Sequence, residues 1–152
     1  MEIHAVNNFH EIFIKQHKDL NLKECGLFLD STHPLIGGSP DRLVSCSCCG
    51  QACLEVKCPI SINYTTQQDP NVKLPYLIKD CTNKLSLNSR HKYYTQCQVQ
   101  MGVTGLKKCF FFVWTSHGYF LEEISFDVQI WEEITNLFTE FYHEYNLKSL
   151  FG

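Results

Sequence analysis

The apolar positions of this chain follow two periods, and the changes between them predict its elements. Residues 1–19 place apolar side chains three or four positions apart, as one face of a helix does. The same spacing recurs over residues 126–147, where the opposite face is acidic. A further helix is predicted from a cap at Asn88 or Ser89 to about Thr104. Three helices therefore divide the chain.

Short apolar segments between these helices predict strands, at residues 26–30, 41–46, 52–58, 108–115 and 118–125. Ser116-His117-Gly118 is typical of a hairpin turn between the last two. Residues 60–89 are polar and interrupted by two prolines, which predicts a long loop with short helical turns. The order helix, three strands, helix, two strands, helix predicts an α/β domain with a central mixed sheet flanked by helices.

The length and charge of the chain restrict its class. At 152 residues it is expected to form one domain, and its formal net charge of -3 does not by itself favour nucleic acid. The distribution is polarised, because residues 73–108 hold seven bases and one acid, whereas residues 122–144 hold seven acids and no Lys or Arg. A basic face that attracts a polyanion and two ordinary solvated faces are both consistent with this pattern.

No segment has the eighteen or so consecutive apolar residues that span a membrane, and the first residues lack a secretory pattern. We therefore expect an intracellular, reducing compartment, in which the nine cysteines stay reduced. A homo-oligomer is compatible with the sequence but not indicated by it.

Two predicted strands carry the candidate chemistry. Asp41 follows a Gly-Gly-Ser-Pro turn and begins one strand, and Glu55 and Lys57 lie two positions apart on the next. Residues two apart in a strand project to the same face, so Glu55 and Lys57 are expected to share a pocket that Asp41 reaches from the neighbouring strand. Two carboxylates can bind a hard divalent cation that activates water, which is the outline of a phosphodiesterase. Solvated strand charges are the common alternative.

The cysteines suggest a second interpretation. Four of them, Cys46, Cys48, Cys49 and Cys53, lie close enough in sequence to ligate zinc. Their spacing is not that of two Cys-x-x-Cys knuckles, so a structural zinc ion is the weaker interpretation. The rival function is a non-catalytic DNA- or protein-binding module organised by this zinc.

Three ordered motifs resemble one known group. Gly-x-Ser-Pro-Asp at 37–41, Leu-Glu-Val-Lys-Cys-Pro at 54–59 and Tyr-x-Gln-x-Gln-x-x-Met at 94–101 are similar to those of the YqaJ-type viral recombinase nucleases. Lambda-exonuclease-like enzymes belong with them in the PD-(D/E)XK superfamily. The resemblance covers nearly the whole chain. The family commonly has glycine where this chain has Arg42.

The resemblance implies a PD-(D/E)XK restriction-endonuclease-like fold and Mg²⁺- or Mn²⁺-dependent hydrolysis of DNA. It favours an exonuclease that acts on duplex ends in recombination over an endonuclease. It implies that Asp41, Glu55 and the Val56 carbonyl bind the metal, with Glu2 assisting. Lys57 and Gln96 would complete the catalytic set. Residues expected to contact DNA are Ser39, Arg42, Lys84, Arg90 and Lys92.

Two points of this interpretation have alternatives. Glu2 can equally be a first-turn glutamate that interacts with the helix dipole. Gln96 and Gln98 can be hydrogen-bonded surface amides. The chain also begins where the helix of the family is already under way, so the family's N-terminal part is expected to be missing from a single nuclease domain over residues 1–152.

Overall fold

A computed structural model describes residues 1–59, 74–116 and 118–151, with side chains described as far as Tyr145. Its elements in chain order are α1 Glu2–Ile14, β1 Asn21–Lys23, β2 Phe28–Leu29, β3 Gly37–Gly38, β4 Arg42–Cys46, β5 Gly50–Lys57, β6 Leu77–Lys79, β7 Leu85–Leu87, α2 Lys92–Thr104, β8 Lys108–Thr115, β9 Gly118–Ser125 and α3 Val128–Phe151.

A five-stranded sheet in the order β1-β4-β5-β8-β9 forms the centre. Strand β5 pairs with β8 in parallel, and the other neighbours in this sheet pair antiparallel. Two small antiparallel pairs, β2-β3 and β6-β7, lie outside it. The mixed sheet flanked by helices that the sequence predicts is confirmed.

Strand β5 separates two hydrophobic cores because its side chains alternate in direction. Leu54 and Val56 pack with Ala5 and Phe9 of α1. Cys53 lies in the other core, which includes the inward face of α2. Glu55 and Lys57 share the register of Cys53, so they project towards α2.

Helix α2 is fixed at both ends and along its side. The Nδ1 atom of His91 accepts a hydrogen bond from the backbone of Tyr93, and Gly105 ends the helix with a φ of 73°. At Gly102 a Cβ would lie 2.5 Å from the ring of Trp131, so only glycine lets α3 approach this closely. These constraints set the position of the α2 face opposite β5.

The structure differs from the sequence-based expectations at several elements. The strand predicted at residues 26–30 is reduced to β2, which pairs with β3 outside the central sheet because the chain turns back on itself there. Strand β1 was not predicted, because a three-residue strand at the sheet edge has almost no apolar pattern. Only Leu22 in it is partly buried. Helix α1 ends at Ile14 rather than near residue 19, and α2 begins after His91. Residues 77–87 form the β6-β7 hairpin rather than helical turns. Of the loop predicted over residues 60–89, the part at 60–73 lies outside the described residues.

The hairpin predicted at Ser116-His117-Gly118 is confirmed by the pairing of Thr115 with Gly118, with His117 itself outside the described residues. Across the described parts of the chain, no helix combines the length and apolar character needed to cross a bilayer.

Candidate active site

Asp41 lies where β4 begins and is held against β5 by its own backbone and side chain. Its N–H donates to the carbonyl oxygen of Leu54 at 3.1 Å. Its Oδ2 accepts the N–H of Val56 at 2.7 Å. The antiparallel pairing of β4 with β5 thus brings the aspartate beside the Glu-x-Lys segment, as the sequence predicts.

Glu55 is a buried carboxylate, with 2% of its surface exposed. Its Oε1 accepts hydrogen bonds from Lys57 Nζ at 2.5 Å and from Gln96 Nε2 at 2.7 Å. Its Oε2 accepts from Gln100 Nε2 at 2.6 Å. Three donors therefore compensate the dehydration of a group that is expensive to bury alone.

Lys57 is positioned by contacts on three sides. Beyond the ion pair with Glu55, its Nζ donates to Oε1 of Gln96 at 3.3 Å. The same ammonium lies 4.3 Å from the ring centroid of Tyr93, a cation–π distance. Because Tyr93 and Gln96 are one helical turn apart on α2, that helix fixes the lysine head group.

The two carboxylates influence each other. Burial, followed by the negative charge of Glu55, raises the pKa of Asp41 from 3.8 to about 6, although the hydrogen bond from Val56 acts in the opposite direction. A dehydrated carboxylate beside a second one favours a cation between them. The oxygen donors of Asp41, Glu55 and the Val56 carbonyl are the kind that Mg²⁺ and Mn²⁺ select.

Glu2 is placed differently from Asp41 and Glu55. Its Oε1 lies 3.6 Å from Nη1 of Arg42, and Nη2 of Arg42 lies 3.3 Å from Oε1 of Glu24. Arg42 also donates to the backbone carbonyl of Asp41 at 2.5 Å. The arginine that stands where the family commonly has glycine thus holds Glu2 in an ion pair. Glu2 is close enough that its charge contributes to the raised pKa of Asp41.

The other residues expected to contact DNA are exposed. Ser39 donates its hydroxyl to the carbonyl of Gly26 at 3.2 Å. Arg90 and Lys92 lie at the start of α2, and Lys84 lies in the β6-β7 hairpin. Within the described residues none of these three bases forms an ion pair.

Cys53 does not belong with the other cysteines of the candidate zinc group. It is fully buried in the core between the sheet and α2, where its Sγ lies 3.5 Å from Oγ1 of Thr104. Cys46, Cys48 and Cys49 cluster instead with His17. The proposed Cys46/Cys48/Cys49/Cys53 set is therefore wrong in its fourth member, because Cys53 points to the opposite side of the sheet from that cluster.

Gln100 is the site residue that the sequence interpretation missed. It is 1% exposed, and its Nε2 donates a hydrogen bond to Glu55. The Sγ atom of Cys109 lies 4.0 Å from the side-chain Oε1 of Gln100. Its position four residues after Gln96 was the available signal, since residues i and i+4 share a helix face. Gln98 is structural, because it bonds the backbone of Ser125 and Asp127 where β9 leads into α3.

Comparisons with known proteins identify the family of the chain. The sequence profile of the YqaJ-like viral recombinase domain matches residues 9–107. This match covers well over half of the chain, so the chain belongs to that family. No curated protein is significantly similar to it.

Two solved structures of LHK-Exo, an alkaline exonuclease from Laribacter hongkongensis, are similar to nearly all of this chain. The complex with dAMP has a TM-score of 0.69 at 25% identity, covering 97% of this chain and 65% of that one. The other has a TM-score of 0.68 at 25% identity, covering 97% and 66%. The predicted PD-(D/E)XK-like fold is confirmed, and this chain spans about two thirds of the LHK-Exo chain.

The bond from Gln100 to Glu55 generates a stability prediction. We expect Gln100→Met to destabilise the metal-free protein by about 1–3 kcal/mol, because one oxygen of a buried carboxylate loses its donor. Urea unfolding measures this change. Gln51→Met, at an exposed position of β5, is the matched control and should be nearly neutral.

A double-mutant cycle isolates the contact. In a Glu55→Ala background, Gln100→Met should cost much less, since the carboxylate is gone. Equal costs in the two backgrounds would show that Gln100 acts through packing alone.

Proposed function

We propose that this chain is a metal-dependent deoxyribonuclease that hydrolyses phosphodiester bonds, acting as an exonuclease on duplex ends in recombination or in the processing of viral or mobile-element DNA. The observation that carries the proposal is the convergence of Asp41, Glu55 and Lys57 at one end of the β4-β5 pair. Family membership and the likeness to an alkaline exonuclease support it.

The carboxylates of Asp41 and Glu55 and the carbonyl of Val56 would hold Mg²⁺ or Mn²⁺. A bound ion of this kind supplies activation of water and neutralises charge that develops on the phosphate. Glu2 would join the other ligands only by leaving its ion pair with Arg42. Such an exchange would couple the start of α1 to the site.

Lys57 would stabilise the transition state rather than bind the metal. When protonated it has no lone pair for an ion, and its positive charge stabilises charge growing on the phosphate and on the attacking oxygen. Gln96 bonds both Glu55 and Lys57, so it acts as a positioning residue for the pair. Tyr93 restricts the lysine from the other side.

The substrate is inferred more indirectly. The exonuclease mode follows LHK-Exo, which is described as an alkaline exonuclease. Exposed bases at Lys84, Arg90 and Lys92 offer phosphate contacts at the start of α2 and in the neighbouring hairpin. The alternative of a non-catalytic zinc module does not account for the buried carboxylate–lysine–amide network on β5 and α2, which includes none of the cysteines at the tip of the β4-β5 hairpin.

Glu55→Gln tests the proposed metal site. We expect cleavage of linear duplex DNA with Mg²⁺ to fall at least about a hundredfold, because the amide keeps the shape but loses the charge. Glu123→Gln, on the exposed part of β9, is the matched control and should keep wild-type turnover. Wild-type activity in Glu55→Gln that persists in EDTA would overturn the proposal, and a circular duplex in parallel separates endonuclease from exonuclease action.

Lys57→Ala separates the chemical step from metal binding. We expect the affinity for Mn²⁺, measured by calorimetry, to be retained. The variant keeps the proposed ligands and removes only the positive charge beside Glu55. Single-turnover cleavage should fall about 10²–10³-fold, the range for removing one electrostatic interaction with the transition state. Lys79→Ala, exposed in β6, serves as the control. Loss of Mn²⁺ binding in folded protein, or intact cleavage, would contradict the role given to Lys57.

The exposed bases generate a prediction about salt. Replacing Lys84, Arg90 and Lys92 by Ala should weaken duplex binding and reduce the slope of log affinity against log salt by about one unit for each phosphate that the protein no longer neutralises. Binding is measured in Ca²⁺ to prevent cleavage. The control replaces Lys15, Lys18 and Lys23, which are exposed near the end of α1 and in β1, with the same loss of charge. Equal slopes in both triple variants would place the DNA elsewhere.

A further inference from the structure

A second group of donor atoms lies at the tip of the β4-β5 hairpin. The side chains of His17, Cys46, Cys48 and Cys49 place their ligand atoms within 4.8 Å of one another. No other cluster of three or more His, Cys, Asp or Glu side chains converges in this way within the described residues. Cys46 is buried, His17 is half-buried, and Cys48 and Cys49 are exposed.

The spacing within this cluster is that of tetrahedral ligands. From Nδ1 of His17 the three sulfur atoms lie at 3.3, 3.4 and 3.7 Å. The sulfur of Cys48 lies 3.5 Å from that of Cys46 and 3.7 Å from that of Cys49. Around a tetrahedral zinc ion, bond lengths of about 2.0 Å to nitrogen and about 2.3 Å to sulfur separate ligand atoms by about 3.5 to 3.8 Å.

The cluster joins two parts of the fold. His17 follows α1 and stacks on Phe13, with ring centroids 4.2 Å apart and planes 6° apart. Ser47 donates both its N–H and its hydroxyl to the carbonyl of Lys18. The turn that carries the cysteines is therefore already fixed against the segment that carries the histidine. Exposed thiols have no packing reason to converge on an imidazole, whereas a bound ion gives them one.

We propose that His17, Cys46, Cys48 and Cys49 form a structural zinc site that fastens the tip of the β4-β5 hairpin to the end of α1. Four protein ligands leave no position for water or substrate, which is the pattern of structural rather than catalytic zinc. Glu55 lies six residues beyond Cys49 on β5, or about 20 Å at strand spacing. The zinc site is thus independent of the proposed catalytic metal.

Metal content of the purified 152-residue chain is the primary test. Expressed with zinc in the medium and desalted, the wild-type protein should carry about one zinc ion per chain by mass spectrometry. Replacement by Co²⁺ should give a thiolate charge-transfer band and the strong visible bands of tetrahedral cobalt. A folded chain with less than about a tenth of an equivalent of zinc, or a cobalt spectrum without the thiolate band, would overturn the proposal.

Variants identify the ligands. Cys48→Ser and His17→Ala should lose the zinc, and His17→Cys should keep it because thiolate is an equivalent ligand. Cys53→Ala tests the cysteine that the sequence suggested, and Cys81→Ser is a matched exposed cysteine outside the cluster. Both should retain zinc, as should Glu55→Gln, which excludes zinc held at the carboxylates. Zinc retained in folded Cys48→Ser and His17→Ala would overturn the assignment.

Alkylation of the wild-type protein covers the case in which a ligand variant fails to fold. Iodoacetamide should modify Cys81 readily, while Cys48 and Cys49, although also exposed, should react only after a zinc chelator is added. The chelator should also lower the midpoint of thermal unfolding, and added zinc should restore it. Reaction of Cys48 and Cys49 at the rate of Cys81 without chelator would contradict zinc binding.

Discussion

A dehydrated carboxylate on the central strand is the constraint on which the site depends. Glu55 cannot be buried without donors, and the three it has come from its own strand and from α2. Helix α2 must therefore lie at one distance and rotation over β5. The glycine at position 102, which admits the ring of Trp131, and the caps at His91 and Gly105 hold it there. The packing of α2 against its neighbours therefore also determines the geometry of the site.

The pKa of Asp41 shows what this arrangement costs in the absence of a cation. Because the folded state raises the pKa from 3.8 to about 6, the contribution of Asp41 to stability is fully present below pH 3.8 and is lost as the pH rises through about 6. At neutral pH the fold therefore holds Asp41 beside Glu55 against the repulsion of their charges, and Lys57 forms an ion pair with Glu55. Such a cost is expected where a site is organised for a charged ligand rather than for stability.

Much of this site follows from strand periodicity. Glu55 and Lys57 share a face because they lie two apart, and Asp41 reaches them because a hairpin turn precedes β5. Gln100 and His17 were not predicted, because their roles depend on tertiary packing rather than on strand periodicity. Gln100 lies on α2 and His17 in the segment just after α1. Each becomes a partner only when these helices pack on the sheet, and the sequence does not specify which donors will then be close. Cys53 shows that closeness in sequence can also mislead. The alternation of side chains along β5 directs Cys53 into the core, whereas Cys48 and Cys49 lie at the turn.

The two ends of the β4-β5 hairpin offer different kinds of metal ligand. At the open end, Asp41 and Glu55 offer hard oxygen donors, and the site needs access for a substrate. At the turn, thiolates and an imidazole offer soft donors in a closed set. Apart from the two hydrogen bonds of Ser47 to Lys18, the hairpin has few other anchors at its tip, because Cys48, Cys49 and Gly50 are exposed and β1 is only three residues long. A cross-link at the tip would limit twisting of β5, whose far end must keep Glu55 in register with α2.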